Sequence, residues 1–267
     1  MATSPGGPWV GRWGSDGGSD GMGPGVLSYA RSMSSMPEPP DSPRPTAVVF
    51  DLGGVLIDWN PRYLYRQLFP GDDAAMETFL AEITTQDWNL QQDAGRPWAE
   101  AVESLSKEHP KQAELIAAYR DRWAETLGEA IQPTVEVLDE LRRSGVRLFA
   151  LSNWSAETFP IARPRYPFLE WFEGIVISGE VGITKPDRRL YRHLLDRYGL
   201  DPTTTVFIDD NEANVVAAKE LGIIAIRFQD APTLRRALVD LGLLGEGSAG
   251  GGASAGGGAS ADGAAAN

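Results

Sequence analysis

Three aspartates, one lysine and one serine are the residues whose types and positions could do chemistry together. Asp51 follows the apolar run 47–50 in "AVVFDLGGVLIDWNP", and Gly53 and Gly54 come almost at once. Asp209 and Asp210 end "TTVFIDD", Ser152 and Asn153 end "VRLFALSN", and Lys185 stands in "ITKPD". Each alone has an ordinary structural reading as a turn, a helix cap, or a helix start with proline at its first position. Together, at the ends of successive apolar runs, they converge on one pocket. Carboxylates gathered there repel one another unless a cation joins them. Oxygen donors suit a hard ion, and magnesium binds through a few carboxylates, waters and a substrate phosphate. A carboxylate can also act as nucleophile and form an acyl phosphate. The Ser152 hydroxyl and nearby backbone N–H groups can hold phosphoryl oxygens, and Lys185 can neutralise charge on both aspartate and phosphate. Gly53 and Gly54 let the backbone turn tightly against a ligand. Positioning and charge stabilisation are most of what phosphoryl transfer needs.

The elements that must carry these groups alternate along the chain. "TAVVFDL", "VRLFALS", "GIVIS", "TTVFIDD" and "IIAIRF" read as short buried strands. The helical segments "PTVEVLDELRRSG", "KPDRRLYRHLLDRYG" and "NEANVVAAKELG" separate the later ones, and basic last turns followed by glycine stop two of them. Such alternation predicts an α/β fold, a Rossmann-like three-layer core of parallel strands between helices. Ligands of such sheets sit at the carboxyl ends of the strands. Residues 61–130 break the alternation and read as helical, for example in "DDAAMETFLAEIT" and "PWAEAVESLSKEH". We therefore expect a core of 46–60 and 131–245 with a helical cap, 61–130, inserted after the first strand and lying over the site. Residues 1–45 and 246–267 are rich in Gly, Ser, Pro or Ala, lack periodicity, and are expected to be disordered.

Composition narrows the chemistry further. The sequence of 267 residues has no cysteine, which removes disulfides, thiolate metal sites and thiol nucleophiles. Its two histidines, His109 and His193, do not suggest a histidine metal cluster. Net charge is −13, from 24 Lys and Arg against 37 Asp and Glu, which argues against a nucleic-acid partner. No apolar run approaches the roughly 20 residues of a membrane span, and none is of signal-peptide type. The expectation is a cytoplasmic protein, monomer or homodimer, acting on a small molecule.

These motifs resemble those of the haloacid dehalogenase superfamily over residues 46–230. "VVFDLGGVL" is similar to its first motif, "LSN" to its second, "KP" to its third and "FIDDNEANVVAA" to its fourth, in that order. The resemblance implies Asp51 as nucleophile and metal ligand, and the Gly53 carbonyl as a second ligand. It implies Ser152 and Asn153 as phosphate binders, with Gly54 and Trp154 beside them, and Lys185 as the charge stabiliser. The spacing of Asp210 to Asn214 matches the fourth motif best, so Asp210 is the expected main metal ligand and Asp209 its neighbour or second ligand. The implied cofactor is Mg2+, and the implied substrate is a small phosphate ester.

One position departs from the pattern. Most phosphatases of the family carry a second aspartate where Gly53 stands, as general acid and base, and losing such a group costs about 100- to 10,000-fold. Three readings follow. The chain is a phosphatase, resembling a branch with "FDLG" that acts on glucose 1-phosphate, whose good leaving group needs less protonation. It is a 2-haloacid dehalogenase, in which Asp51 attacks carbon. Or it is a binding protein that keeps the fold. The acidic pair Asp209–Asp210 favours magnesium and the first reading. Asp58 is a weak substitute for the absent acid, read more readily as a turn or cap residue. Trp59 and Trp154 are expected near the pocket, Trp88 and Trp98 in the core of the cap, and His193 on the surface. The placement of "RPRYP" is left open.

Overall fold

A computed structural model of the protein describes residues 44–245. Its centre is a five-stranded parallel sheet built from β1 (Ala47–Phe50), β4 (Arg147–Ser152), β5 (Gly174–Ile177), β6 (Thr205–Asp209) and β7 (Ile224–Arg227), in the order β5-β4-β1-β6-β7. β1 is central, paired with β4 on one side and β6 on the other, so the chain runs outward in both directions from it. That reversal opens a crevice at the carboxyl ends of β1, β4 and β6. Register fixes what lies there. Phe50 is opposite both Ala150 and Ile208, which leaves Asp51 one step beyond the strand and level with Asp209.

Side chains alternate across β1 as a pleated strand requires. Val48 and Phe50 join one buried cluster with Leu138, Leu141, Leu234 and Leu238, while Ala47 and Val49 join another with Leu190, Tyr191, Ala217 and Ala218. The helices that supply these residues are α6 (Gln132–Arg143) and α11 (Ala231–Asp240) on one face, and α9 (Arg188–Tyr198) and α10 (Glu212–Lys219) on the other. Two four-residue helices, α7 (Phe159–Ala162) and α8 (Ser178–Val181), lie in the connections after β4 and β5.

Between β1 and β4 the chain leaves the sheet through β2 (Ile57–Trp59) and returns through β3 (Leu127–Ala130), an antiparallel pair. Between these two strands stand α1 (Arg62–Leu68), α2 (Asp73–Glu82), α3 (Gln86–Asp93), α4 (Trp98–Glu108) and α5 (Ala113–Asp121). Aromatic packing fills the interior of this insertion: the rings of Trp88 and Trp98 lie 5.4 to 5.7 Å from Tyr119, and Tyr65 lies 5.8 Å from it. Trp88 and Trp98 are therefore core residues, both buried.

Candidate active site

Asp51, Ser152 and Asp209 arrive at one place because the three strands that carry them are adjacent. Each element then fixes a further contact. The Leu52 N–H donates to Asp51 Oδ1 at 2.7 Å, and Lys185 Nζ stands 2.9 Å from the same oxygen. Lys185 Nζ also lies 2.6 Å from Asp209 Oδ2. The lysine is only 2% exposed and Asp209 fully buried, so the pair is sealed from water. Asp209 Oδ1 accepts from the Asn211 N–H at 2.8 Å, and the Asn214 amide contacts both carboxylate oxygens at 3.0 and 3.1 Å. Every lone-pair direction of Asp209 is thus engaged. Asp210, one residue on, is exposed and makes no ion pair among the described residues; only backbone N–H groups, its own and that of Asn211, approach its carboxylate.

Charge does not balance within this cluster. Oxygens of Asp51, Asp209 and Asp210 come within 4.8 Å of one another, and one ammonium faces them. Burial raises the Asp51 carboxyl; Lys185 opposes the rise and Asp209 adds to it, with a net upward shift. Burial and then Asp209 raise Asp210 as well. For Lys185, burial pulls downward, but Asp51 and Asp209 outweigh it and the ammonium is stabilised. The donor set is all oxygen and carries an excess of negative charge, which fits a hard divalent cation. Gly54 leaves room for that chemistry: its φ is +74°, and a Cβ there would stand 2.7 Å from Asp210 Oδ2.

Asn153 is placed otherwise than as a side-chain ligand of phosphate. Its Oδ1 accepts from the Lys185 N–H at 2.8 Å and its Nδ2 donates to the Lys185 carbonyl at 3.0 Å. The carboxamide clamps the backbone of the lysine and so aims Nζ. Trp154 sits over the same floor, 5% exposed, with its backbone N–H given to Ser178 Oγ at 2.9 Å and its indole N–H unpaired. Ser152 is buried beside the cavity.

A cavity of about 520 Å³ opens above this floor. Asp51, Gly53, Gly54, Ser152, Asn153, Trp154, Lys185 and Asp210 all border it. Trp59 of β2 and Trp123, from the turn before β3, form its walls, and the Trp123 and Trp154 rings lie 5.6 Å apart. Asp58 does not border it; it lies in β2, hydrogen-bonded to the Tyr63 hydroxyl. Trp88 and Trp98 are absent from its border too. "RPRYP" packs elsewhere, with Arg163 paired to Glu170 and the Tyr166 hydroxyl on the Gly128 carbonyl, and His193 is exposed. The sequence reading missed Trp123 and the roof. One face of α3 supplies that roof: Gln86, Asn89, Leu90 and Asp93. Their spacing of three, four and seven residues is one helical stripe, a weak signal because polar residues on one helix face ordinarily meet solvent.

The fold and the span of the four motifs agree with what comparison with known proteins finds. The model of the family described as "haloacid dehalogenase-like hydrolase" matches residues 45–222, more than half of the chain. The chain belongs to the haloacid dehalogenase-like hydrolases. Among curated relatives of this hydrolase are the sesquiterpene phosphatase astK of Aspergillus oryzae and the pyrophosphatase PpaX of Bacillus velezensis. The first is 26% identical over 69% of this chain and 90% of its own length. The second is 29% identical over 67% of this chain and 81% of its own. A HAD family enzyme of Bacteroides thetaiotaomicron, solved in complex with magnesium and inorganic phosphate, superimposes with a TM-score of 0.53 at 25% identity, covering 70% of this chain and 95% of that one. An L-2-haloacid dehalogenase of Xanthobacter autotrophicus shares the fold, with a TM-score of 0.52 at 20% identity over 73% of this chain and 83% of its own.

Proposed function

We propose that this hydrolase is a magnesium-dependent phosphatase of a small phosphorylated metabolite, such as a sugar phosphate, working through an aspartyl-phosphate on Asp51. The observation that carries the reading is the unbalanced carboxylate cluster. Asp209 spends its oxygens on Lys185, Asn211 and Asn214, whereas Asp210 and the free oxygen of Asp51 remain available. Asp51, Asp210 and the Gly53 carbonyl are the proposed ligands. Bound magnesium supplies charge neutralisation that lets a phosphate dianion approach carboxylates. The relatives support the same chemistry: two are a sesquiterpene phosphatase and a pyrophosphatase, and a structural neighbour holds magnesium with phosphate.

The residues divide the work as follows. Lys185, aimed by Asn153 and balanced by Asp209, opposes the upward pull of burial on Asp51 and favours its ionised, nucleophilic form. Ser152 and the backbone N–H of Asn153 orient the phosphoryl oxygens. Tryptophans 59, 123 and 154 exclude water and receive the alcohol portion. A volume near 520 Å³ falls within the range of about 300–1,000 Å³ usual for small-molecule sites. The dehalogenase reading loses support from the same border. A haloacid brings a carboxylate, and among the described residues the one cationic side chain bordering the cavity, Lys185, is already committed to two aspartates.

The test is phosphate release from p-nitrophenyl phosphate and a sugar-phosphate panel, with and without magnesium, by the native chain and Asp51→Asn. Magnesium-dependent release that the variant loses is expected. Halide release from a 2-haloacid without metal, and none of phosphate, would overturn the proposal.

A further inference from the structure

We propose that Asp93, carried by the insertion, is the general acid and base that the turn after β1 lacks. The inference rests on the phosphatase reading. Gly53 has no side chain, and a Cβ built there would touch nothing within 4 Å, so that turn offers the leaving oxygen no proton donor. A second carboxyl reaches the cavity from above. Asp93 closes α3, borders the same cavity as Asp51, and receives the Asn89 amide at 3.2 Å on its Oδ2. The Ser155 N–H, three residues beyond Ser152, approaches the Asp93 carboxyl, and the Asp51 charge acts on it. It therefore stands over the phosphate-binding loop, outside the three carboxylates that gather within 4.8 Å. Asp87, the other α3 carboxylate at the cavity, is exposed and has no such neighbours.

The backbone holds Asp93 in place. Ser178 Oγ, fully buried, accepts from the Trp154 N–H at 2.9 Å and donates to the Asp93 carbonyl at 2.5 Å. Two residues on, Gly95 has φ +96° and lies so close to the Gly179 carbonyl that a Cβ would stand 3.2 Å from it. The Trp98 N–H donates to Glu157 and its indole to Ser155. These contacts tie the end of α3 to the loop after β4. An acid in the last helical turn opposes the helix dipole, a placement that stability alone does not favour. Burial, opposed by the Ser155 N–H and reinforced by Asp51, lifts its carboxyl to about 7, so both protonation states are accessible near neutrality.

The proton balance closes. As Asp51 attacks phosphorus and the bond to the leaving oxygen breaks, protonated Asp93 gives its proton to that oxygen and releases an alcohol. The Asp93 carboxylate then takes a proton from water as the water oxygen attacks phosphorus. The bond to Asp51 breaks, inorganic phosphate leaves, and both aspartates return to their starting states.

The experiment compares p-nitrophenyl phosphate, whose phenolate leaves without a proton, with glycerol 1-phosphate, whose alkoxide does not. It uses the full chain with magnesium, native and as Asp93→Asn and Asp93→Glu. For Asp93→Asn, glycerol phosphate turnover is expected to fall about 100- to 10,000-fold. With p-nitrophenyl phosphate the same variant should give a burst of about one equivalent of nitrophenol and then slow turnover, because the first step survives and the second does not. Asp93→Glu, which keeps an acid on α3, should recover glycerol phosphate turnover to within about tenfold of native. Loss on both esters without a burst, unchanged glycerol phosphate turnover in Asp93→Asn, or no recovery with Glu would overturn the assignment. A native chain that releases phosphate from neither ester would instead overturn the phosphatase reading, and this inference with it.

Discussion

At the residue scale, two neighbouring aspartates do different work, and substitutions separate them. Asp209 is buried against Lys185, while Asp210 is exposed and makes no ion pair among the described residues. Lys185→Met would leave Asp51 and Asp209 side by side without their cation. Breaking a buried pair by removing one partner costs about 3–5 kcal/mol, and urea unfolding without metal should show a loss of that order. Asp210→Asn removes a carboxylate that burial and Asp209 hold above its usual range, so without metal it should be no less stable than native, and it should still abolish magnesium-dependent phosphate release. Equal stability losses in the two variants would contradict this division. Asp93 sets a second expectation. Its carboxyl is raised in the fold, with Asp51 and the Tyr119 phenol facing it from other elements. A raised acid binds its proton more tightly folded than unfolded, so its stabilising effect is full at low pH. That effect is lost as pH climbs from the ordinary carboxylate range through about 7. Asp93→Asn lacks this loss, so its melting temperature relative to native should rise between pH 5 and pH 8; a flat difference would count against a raised carboxyl.

At the element scale, the seam between insertion and core decides whether the site is assembled. Ser178→Ala would strand two buried backbone groups, the Trp154 N–H and the Asp93 carbonyl, at about 1–3 kcal/mol each. Thermal unfolding should drop accordingly, and kcat should fall with it, because both groups position residues at the cavity. Gly179→Ala should be worse. Its Cβ would stand 2.5 Å from the Ala156 nitrogen and 2.8 Å from the Trp154 carbonyl, and these backbone atoms cannot swing aside. A Gly179→Ala chain with native melting and turnover would show that the seam is not needed. This scale also explains what sequence could reveal. The strands of the sheet and the residues at their tips were legible because apolar runs ending in Asp, Ser or Asp-Asp report burial and exposure directly. The roof was not. β2 and β3 have three and four residues, too few for a period to declare itself. α3 is polar, and its short stripe ending in Asp93 reads as solvent-facing until the sheet beneath it is known. The second role of Asn153 was hidden for a similar reason: its side-chain partner, the Lys185 backbone, is 32 residues away. Pairing at that range leaves no local signature.

At the scale of the whole molecule, the field opposes the substrate. The chain carries −13, and the described residues bordering the cavity include Asp51, Asp87 and Asp210 beside Lys185 as their one cation, so the border is negative even with Asp93 protonated. A phosphate dianion must therefore climb a negative potential before the local cation captures it. Exposed charges are screened over a Debye length of about 10 Å at 0.1 M salt, so added salt lowers that barrier. With free magnesium held constant, kcat/KM for the phosphate ester of an uncharged polyol should rise about two- to tenfold between about 10 and 150 mM ionic strength, the reverse of an electrostatically steered enzyme. A substrate with a carboxylate and no amine on its alcohol portion, such as 3-phosphoglycerate, meets the same carboxylates with one more negative charge and no further cation among the described bordering residues. Its kcat/KM should be lower throughout and rise more steeply with salt. Rates that fall with salt for both substrates would mean that the approach path is positive, and that charge does not select the alcohol.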